Sequence, residues 1–375
     1  MKNKKICKRC VMDDSIPNIS FDENGICSYC KSYDDIDSQY PLDGKQEDKI
    51  LKIVDEIREK GRGKKYDCVI GVSGGCDSSY LMYLAKKYGL RPLAATFDNT
   101  WGSIKAVQNI YNIIERLGID LHTVVVNGEE FNDLCKSFLY ASVPDADIPN
   151  DIAITKLYYM VMEEYDVDYF LCGHSFRTEG FAPLGWTYMD GKYIESVHTQ
   201  FGKVPLKTFP NLDIDYWLKN INKKRIRMLY YIDYNKEEAK RFLISKFNWQ
   251  WYGGHHFEND YTKFVKSYLL PKKFGIDKRI VELSALVRAG QLDRNKALDI
   301  LSSPEEIDFN LLRHVIKRLK LTEEELDNIM KLPIKSYKDY DTYKSYFVEN
   351  KEMFKEMAQK EYIPWTFYYK YCENK

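Results

Sequence analysis

Two clusters in this sequence have residue types and spacings that chemistry requires. Near the amino end, Cys7-x-x-Cys10 and Cys27-x-x-Cys30 set two thiol pairs 16 residues apart. Four thiolates complete the tetrahedral shell of a zinc ion, and folding of so short a segment is then coupled to metal binding. Gly25, just ahead of the second pair, suits the tight turn that aims thiolates inward. Iron–sulfur ligation and a redox pair are the rival uses, and the doubled spacing favours structural zinc. The second cluster is Ser73-Gly74-Gly75-Cys76-Asp77-Ser78, directly after an apolar run and at the head of a helical stretch. Glycines let backbone close on phosphate oxygens, and main-chain N–H groups at a helix start favour an anion. Ser73 and Ser78 add hydroxyl donors, and Asp77 is the group to hold a magnesium ion bridging the phosphates. No Gly-Lys-[Ser/Thr] follows, so transfer of a γ-phosphate in the Walker manner is not indicated.

A third stretch is less specific. Gly253-Gly254 permits close backbone approach, His255 and His256 offer two imidazoles, and Lys272, Lys273, Lys278 and Arg279 concentrate positive charge. Acceptor binding and a solvated basic face are both compatible with it.

The elements that must position these groups follow from periodicity. The first 45 residues are too few to build a core without a staple, which makes 1–45 a zinc-binding module. An amphipathic helix is predicted over Gln46–Lys60. Strands are predicted over Asp67–Val72, Pro92–Phe97, Leu121–Val126 and Tyr169–Cys172, alternating with helices over Ser79–Tyr88, Ser103–Leu117 and Asp151–Tyr165. That alternation predicts an α/β fold with a doubly wound parallel sheet over 46–202, with ligands at the carboxyl ends of its strands. Residues 203–375 read as mostly helical, with amphipathic helices over Lys236–Phe247 and Lys278–Leu301.

Ser-Gly-Gly-x-Asp-Ser after a first strand resembles the PP-loop of the ATP-pyrophosphatases, which split ATP between its α- and β-phosphates. The resemblance implies adenosine contacts at Phe97 and Asp98, and a second glycine turn near the ATP at Gly173 and His174. A satisfied loop histidine is the other reading of His174. It also implies a late lysine that neutralises the leaving pyrophosphate, for which Lys272 and Lys273 are the candidates. Cys-Lys-Arg-Cys-Val-Met-Asp at the start, and the late stretches Trp251–Glu258 and Leu270–Arg279, are similar to the N-acetyl sugar amidotransferases of bacterial surface-glycan biosynthesis. Membership implies conversion of an acetamido group on a sugar to an acetamidino group, with ATP, Mg²⁺ and Zn²⁺ as cofactors. The sugars include nucleotide-linked diacetamido sugars and nonulosonic acids. His255, His256, Lys278 and Arg279 are the expected sugar-binding residues. No recognisable glutaminase is present, since Lys2 follows Met1 and Cys76 is followed by Asp77-Ser78. The resemblance therefore implies a glutaminase and an ammonia-conducting partner. A PP-loop tRNA sulfur transferase is the alternative.

Composition bounds these readings. Lys+Arg and Asp+Glu both total 56, so the formal charge is zero, which argues against bulk nucleic acid as a partner. No apolar run nears the ~20 residues of a membrane helix and no secretory h-region follows the start, so the expected location is cytoplasmic.

Overall fold

In the computed structural model, which describes residues 4–183, 185–360 and 362–373, helix α1 (Ser28–Asp37) closes the cysteine segment and α2 (Lys45–Lys60) leads into a sheet. The sheet region then runs β1 (Cys68–Gly71), α3 (Cys76–Lys87), β2 (Pro92–Asp98), α4 (Ile104–Leu117), β3 (Asp120–Val125), α5 (Gly128–Ala141), α6 (Ile148–Glu164), β4 (Tyr169–Leu171), α7 (Gly191–Phe201), α8 (Ile214–Asn220) and β5 (Lys224–Ile226). The strands lie in the order β3-β2-β1-β4-β5, every pair parallel. The chain winds outward from β1 to β3, then returns to β4 on the other side. The reversal leaves a crevice between the carboxyl ends of β1 and β4, which is where open α/β sheets bind ligands.

Both faces of the sheet are covered, which is why its strands read as apolar runs without alternation. Leu157, Val161 and Met162 of α6 pack on Val69, Leu93, Ala95 and Phe170, and Tyr158 stacks on Phe170 at 3.9 Å. Gly71 is required here: a Cβ would come 2.1 Å from the Tyr158 hydroxyl. On the opposite face α3 sets Leu81, Met82 and Ala85 against Ile70, Ala94 and Leu171. Helix α5 and strand β5 escape the sequence reading. The β5 segment is three residues long and charged, and α5 is marked by its Asn127 cap, which accepts from the Glu129 and Glu130 amides.

Beyond the sheet come α9 (Lys236–Phe247), α10 (Asp260–Phe264), a π-helical turn over Val265–Phe274, α11 (Arg279–Arg288), α12 (Arg294–Ser302), α13 (Phe309–Arg318), α14 (Glu323–Lys331), α15 (Lys344–Glu349) and α16 (Lys351–Gln359). The helix predicted over Lys278–Leu301 is in fact two. Gly290 takes φ 69° and Asp293 caps α12 by accepting from the Asn295 and Lys296 amides. Tyr261, Phe264, Phe347 and Phe354 from this region share one core with Phe131, Leu134 and Phe138 of α5. The cysteine segment is likewise not self-contained: Val11, Met12 and Ile16 pack with Trp186, Ile280, Leu283 and Ala297. Among the described residues no helix is long and apolar enough to cross a membrane.

Candidate active site

The loop 73–78 leaves β1 at the crevice and opens α3. Gly74 has φ 78°, and a Cβ there would lie 2.1 Å from the Ala106 carbonyl. Asn109 Nδ2 and Trp249 Nε1 donate to the Gly74 carbonyl at 3.2 and 3.0 Å, turning that oxygen away from the crevice. Ser73 Oγ accepts from the Gly75 amide at 3.3 Å, and Ser78 Oγ donates to the Gly75 carbonyl at 3.3 Å. No side chain caps the first turn of α3, so its amides remain available to an anion. Burial pushes the Cys76 thiol up to about 12, in keeping with a small filler and not a nucleophile. The second glycine turn abuts this one: a Cβ on Gly173 would stand 3.1 Å from the Ser78 amide nitrogen.

The lysine that faces this loop is Lys236, at the start of α9. Its ammonium lies 3.5 Å from Asp77 Oδ2, 3.3 Å from Glu282 Oε1 and 3.2 Å from His255 Nδ1, with a side chain only 5% exposed. Burial opposes its charge, but Asp77, Glu282 and Glu179 raise its pKa and keep it an ammonium. Tyr234 donates to Asp77 Oδ1 at 2.7 Å and fixes that carboxylate. Burial, with Asp77 nearby, pushes Glu179 up to about 8. His256 stands 3.9 Å from Glu179 and 3.7 Å from Glu258, and its backbone is held at φ 61°. Although burial opposes ionisation of Glu258, His256 beside it draws that carboxyl below its ordinary value. Burial, followed by His256, Lys236 and Lys266, drives His255 well below an ordinary imidazole, so it is neutral. Glu179, His255 and His256 bring one ligand atom each within 4.8 Å of one another, close enough to share a divalent cation, while Asp77 lies outside that set, paired with Lys236.

The structure distributes the other expected residues unevenly. His174 sits in the second turn, donating from Nε2 to the Gly180 carbonyl (3.2 Å) and accepting at Nδ1 from Tyr230 (2.9 Å). This is the satisfied loop histidine, and burial lowers its pKa to about 4. Asp98 ends β2 and accepts from the Thr100 amide at 2.8 Å, while Phe97 packs edge-on against Phe131. Lys273 departs from expectation: its ammonium donates to the Ile329 and Leu332 carbonyls at 2.5 and 3.1 Å, capping α14. Arg279 departs too. It pairs with Asp277 at 2.7 Å and donates to the Ile300 and Ser303 carbonyls at 3.3 and 3.0 Å, tying down the end of α12. Lys272 is exposed, and among the described residues it makes no bond to the PP-loop cluster. The family resemblance made Lys272 and Lys273 the candidates for the lysine beside the pyrophosphate; both lie in the last turn of the π-helical segment.

Sequence reading missed Lys236, Tyr234 and Glu282. One signal was present: Lys236 opens a helix ahead of Glu237 and Glu238, where the helix dipole disfavours a cation.

The four cysteine sulfurs converge at Cys7–Cys30 3.8 Å, Cys10–Cys27 3.7 Å and Cys27–Cys30 3.6 Å, all buried. A tetrahedron with ~2.3 Å metal–sulfur bonds has edges of ~3.8 Å, so the set fits zinc. The Arg288 guanidinium donates to Cys30 at 3.3 Å and Cys10 at 3.2 Å, as a cation beside a thiolate cluster should. A surface groove of about 600 Å³ lined by Asp55, Arg58, Asp67 and Arg91 lies at the opposite, amino end of the strands. Its Arg91 and Asp67 are already paired at 2.6 Å.

A parallel sheet in this order, with Ser-Gly-Gly-x-Asp-Ser after its first strand, defines an α/β protein of the PP-loop class. Residues 258–360 match the family model described as "LPS biosynthesis protein WbpG-like, C-terminal domain". The probable mitochondrial tRNA-specific 2-thiouridylase 1 of Caenorhabditis elegans is 27% identical over 191 residues, 46% of this chain and 48% of that protein. The chain spans half or less of the length of the curated relatives it matches. Among solved structures, the NMN synthetase of Francisella tularensis (TM-score 0.30, 15% identity) covers 77% of this chain and 98% of its own. The NH3-dependent NAD synthetase of Campylobacter jejuni (TM-score 0.31, 13% identity) has the same coverage.

Proposed function

We propose that this chain converts an N-acetyl group on an activated or acidic sugar to an acetamidino group, consuming ATP to AMP and pyrophosphate, in bacterial surface-glycan biosynthesis. The acetamido oxygen attacks the α-phosphorus and pyrophosphate leaves. Ammonia then adds to the O-adenylyl imidate carbon and AMP departs, carrying the oxygen away. AMP is a far better leaving group than an amide oxygen, so dividing the reaction lowers its barrier. The loop amides with Ser73 and Ser78 receive the β- and γ-phosphates, and Lys236 neutralises the departing pyrophosphate. Magnesium held at Asp77 would supply further charge neutralisation.

The observation that carries this reading is the buried Lys236–Asp77 pair at the mouth of a PP-loop, roofed by imidazoles at the edge of the WbpG-like domain. Zinc at Cys7, Cys10, Cys27 and Cys30 is structural in this reading, ammonia comes from a separate glutaminase through a conducting partner, and the enzyme works in the cytoplasm. ³¹P NMR of a reaction with ATP, ammonium and an acetamido sugar should give AMP and pyrophosphate in equal amounts. Stoichiometric ADP would sink the mechanism, and glutamine-supported turnover by the isolated chain would remove the partner.

The thiouridylase relatives favour a second reading, sulfur transfer to tRNA. Such chemistry calls for a reactive mid-chain thiol. Cys68 and Cys135 are buried with their thiols pushed up by desolvation, which leaves Cys172, half-buried just beyond β4, as the thiol such chemistry would use.

A further inference from the structure

Two neighbouring side chains, His255 and His256, are brought together by the turn that carries them. Successive side chains of an extended chain point to opposite faces. Here the two imidazole centroids stand only 3.8 Å apart, because Gly253 at φ 106° and His256 at φ 61° bend the backbone. A non-glycine residue in the left-handed region is uncommon and persists where its surroundings hold it. The paired rings meet Glu179. One ligand atom from each of Glu179, His255 and His256 lies within 4.8 Å of the others, and His256 Nε2 is 3.9 Å from Glu179 Oε2. Donors around one metal with bonds of ~2.1 Å stand ~3–4 Å apart, so a small side-chain adjustment brings the three into one coordination sphere.

The groups behind the rings fit the same use. His255 turns Nδ1 toward Glu282 Oε1 and His256 turns Nδ1 toward Glu258 Oε1, each at 3.7 Å. A carboxylate behind one ring nitrogen keeps the proton there and leaves the other nitrogen to a metal, which is how ligating histidines are held. Charge is also wanting. Among the described residues, the only basic group within ion-pair distance of Glu179 or Glu258 is His256, and Glu258 Oε2 is buried with no hydrogen-bond partner. The Lys236 ammonium is already shared between Asp77 at 3.5 Å and Glu282 at 3.3 Å. Carboxylates enclosed without a counter-charge are costly, and a cation removes that cost. The cluster adjoins the PP-loop without being part of it: a Cβ on Gly75 would stand 3.4 Å from Glu258 Oε1.

We propose that Glu179, His255 and His256 bind a first-row transition dication of the zinc, manganese or iron class, separate from both the phosphate-bound magnesium and the four-cysteine zinc. Two imidazoles and a carboxylate suit such an ion, whereas Mg²⁺ takes oxygen donors and water. Three protein ligands leave coordination positions open, and all three are half-buried, so an oxygen or nitrogen donor of a reacting molecule can complete the shell beside the PP-loop. Loading also redirects a contact. Lys236 lies 3.2 Å from His255 Nδ1. With metal on Nε2, Nδ1 keeps its proton and turns it to Glu282, which releases Lys236 to Asp77 and the phosphates. The site does not depend on the amidine chemistry and stands whatever the acceptor is.

Co²⁺ titrated into the full chain, with zinc already filling the four cysteines, tests it. One equivalent of cobalt beyond the zinc should bind with visible d–d absorption and no thiolate charge-transfer band. E179Q and H255A should each weaken that binding at least tenfold while metal analysis still finds one zinc. H256N should do the same at a position where Asn tolerates the positive φ. E282Q, behind the first imidazole, should weaken it by about tenfold. Zn²⁺ should displace the cobalt, and a roughly hundredfold excess of Mg²⁺ should not. Absence of a second equivalent overturns the proposal, as does a thiolate band alone, which would put the cobalt in the cysteine cluster. Unchanged cobalt affinity in ligand variants that melt like wild type overturns it too, and displacement by Mg²⁺ overturns the class of metal. Should the ligand variants unfold, the wild-type stoichiometry and E282Q still decide the matter.

Discussion

Lys236 occupies a position that only its partners explain. Burying an ammonium costs several kcal/mol unless carboxylates surround it, and here Asp77 and Glu282 do so. The PP-loop was legible in the sequence because its chemistry is local, six consecutive residues between a strand and a helix. Lys236 was not, since it meets Asp77 across 158 intervening residues of chain. K236A should therefore lower kcat/KM for ATP-dependent turnover by about a hundredfold or more, while K272A stays within twofold of wild type. Equal losses in the two variants, measured by pyrophosphate release, would return the role to Lys272. His174 gives a prediction in pH. Its folded pKa of about 4 lies below the ordinary 6.5, so the unfolded chain binds the extra proton between those values. Stability from the neutral ring is complete above pH 6.5 and is lost as pH falls toward 4. Gln at this position can keep both bonds, to Gly180 and Tyr230, without titrating. The stability difference between wild type and H174Q should thus fall with acidification, by about 3 kcal/mol at most. A pH-independent difference in urea unfolding would show that His174 does not titrate across the transition.

At the scale of elements, the sequence showed the first four strands as short apolar runs and, α5 apart, the helices around them by the apolar face each one buries. It failed where local pattern and tertiary role diverge. Strand β5 carries Lys224 and Arg225 at the sheet edge, and the stretch 278–301 keeps its apolar spacing across a break that Gly290 and Asp293 impose. The π-helical turn Val265–Phe274 was not anticipated, and it carries Pro271 inside it and Lys272 and Lys273 in its last turn. Lys273 instead satisfies carbonyls left over at the end of α14. K273M should lower stability by about 1–2 kcal/mol through those lost bonds and leave kcat unchanged. A collapse of kcat at unchanged melting temperature would contradict the capping role.

At the scale of the whole molecule, the cysteine cluster and the PP-loop are joined by a chain of contacts that no sequence pattern announced. Arg288 bonds the sulfurs, and Arg294 donates to the Cys7 and Cys10 carbonyls at 2.7 and 3.0 Å, so the turn between α11 and α12 is clamped to the cysteine segment. From that turn Gln291 donates to the Tyr234 carbonyl at 2.8 Å and accepts from the Lys236 amide at 3.2 Å. Those two residues hold Asp77. A second brace runs from α1, where Asp37 pairs with Arg177 at 2.6 Å beside the Gly173 turn. Loss of zinc should accordingly reach the active site. In C30S, resupplied with Mg²⁺, the amino-terminal 45 residues should lose hydrogen-exchange protection and kcat should fall at least tenfold, with ATP affinity less affected because the loop glycines remain in place. Q291A separates the steps: it should keep one equivalent of zinc by metal analysis yet lower kcat, since it cuts the link and not the cluster. Full activity in zinc-free C30S would make the module an independent appendage, and full activity in Q291A would route the coupling through Arg177 alone.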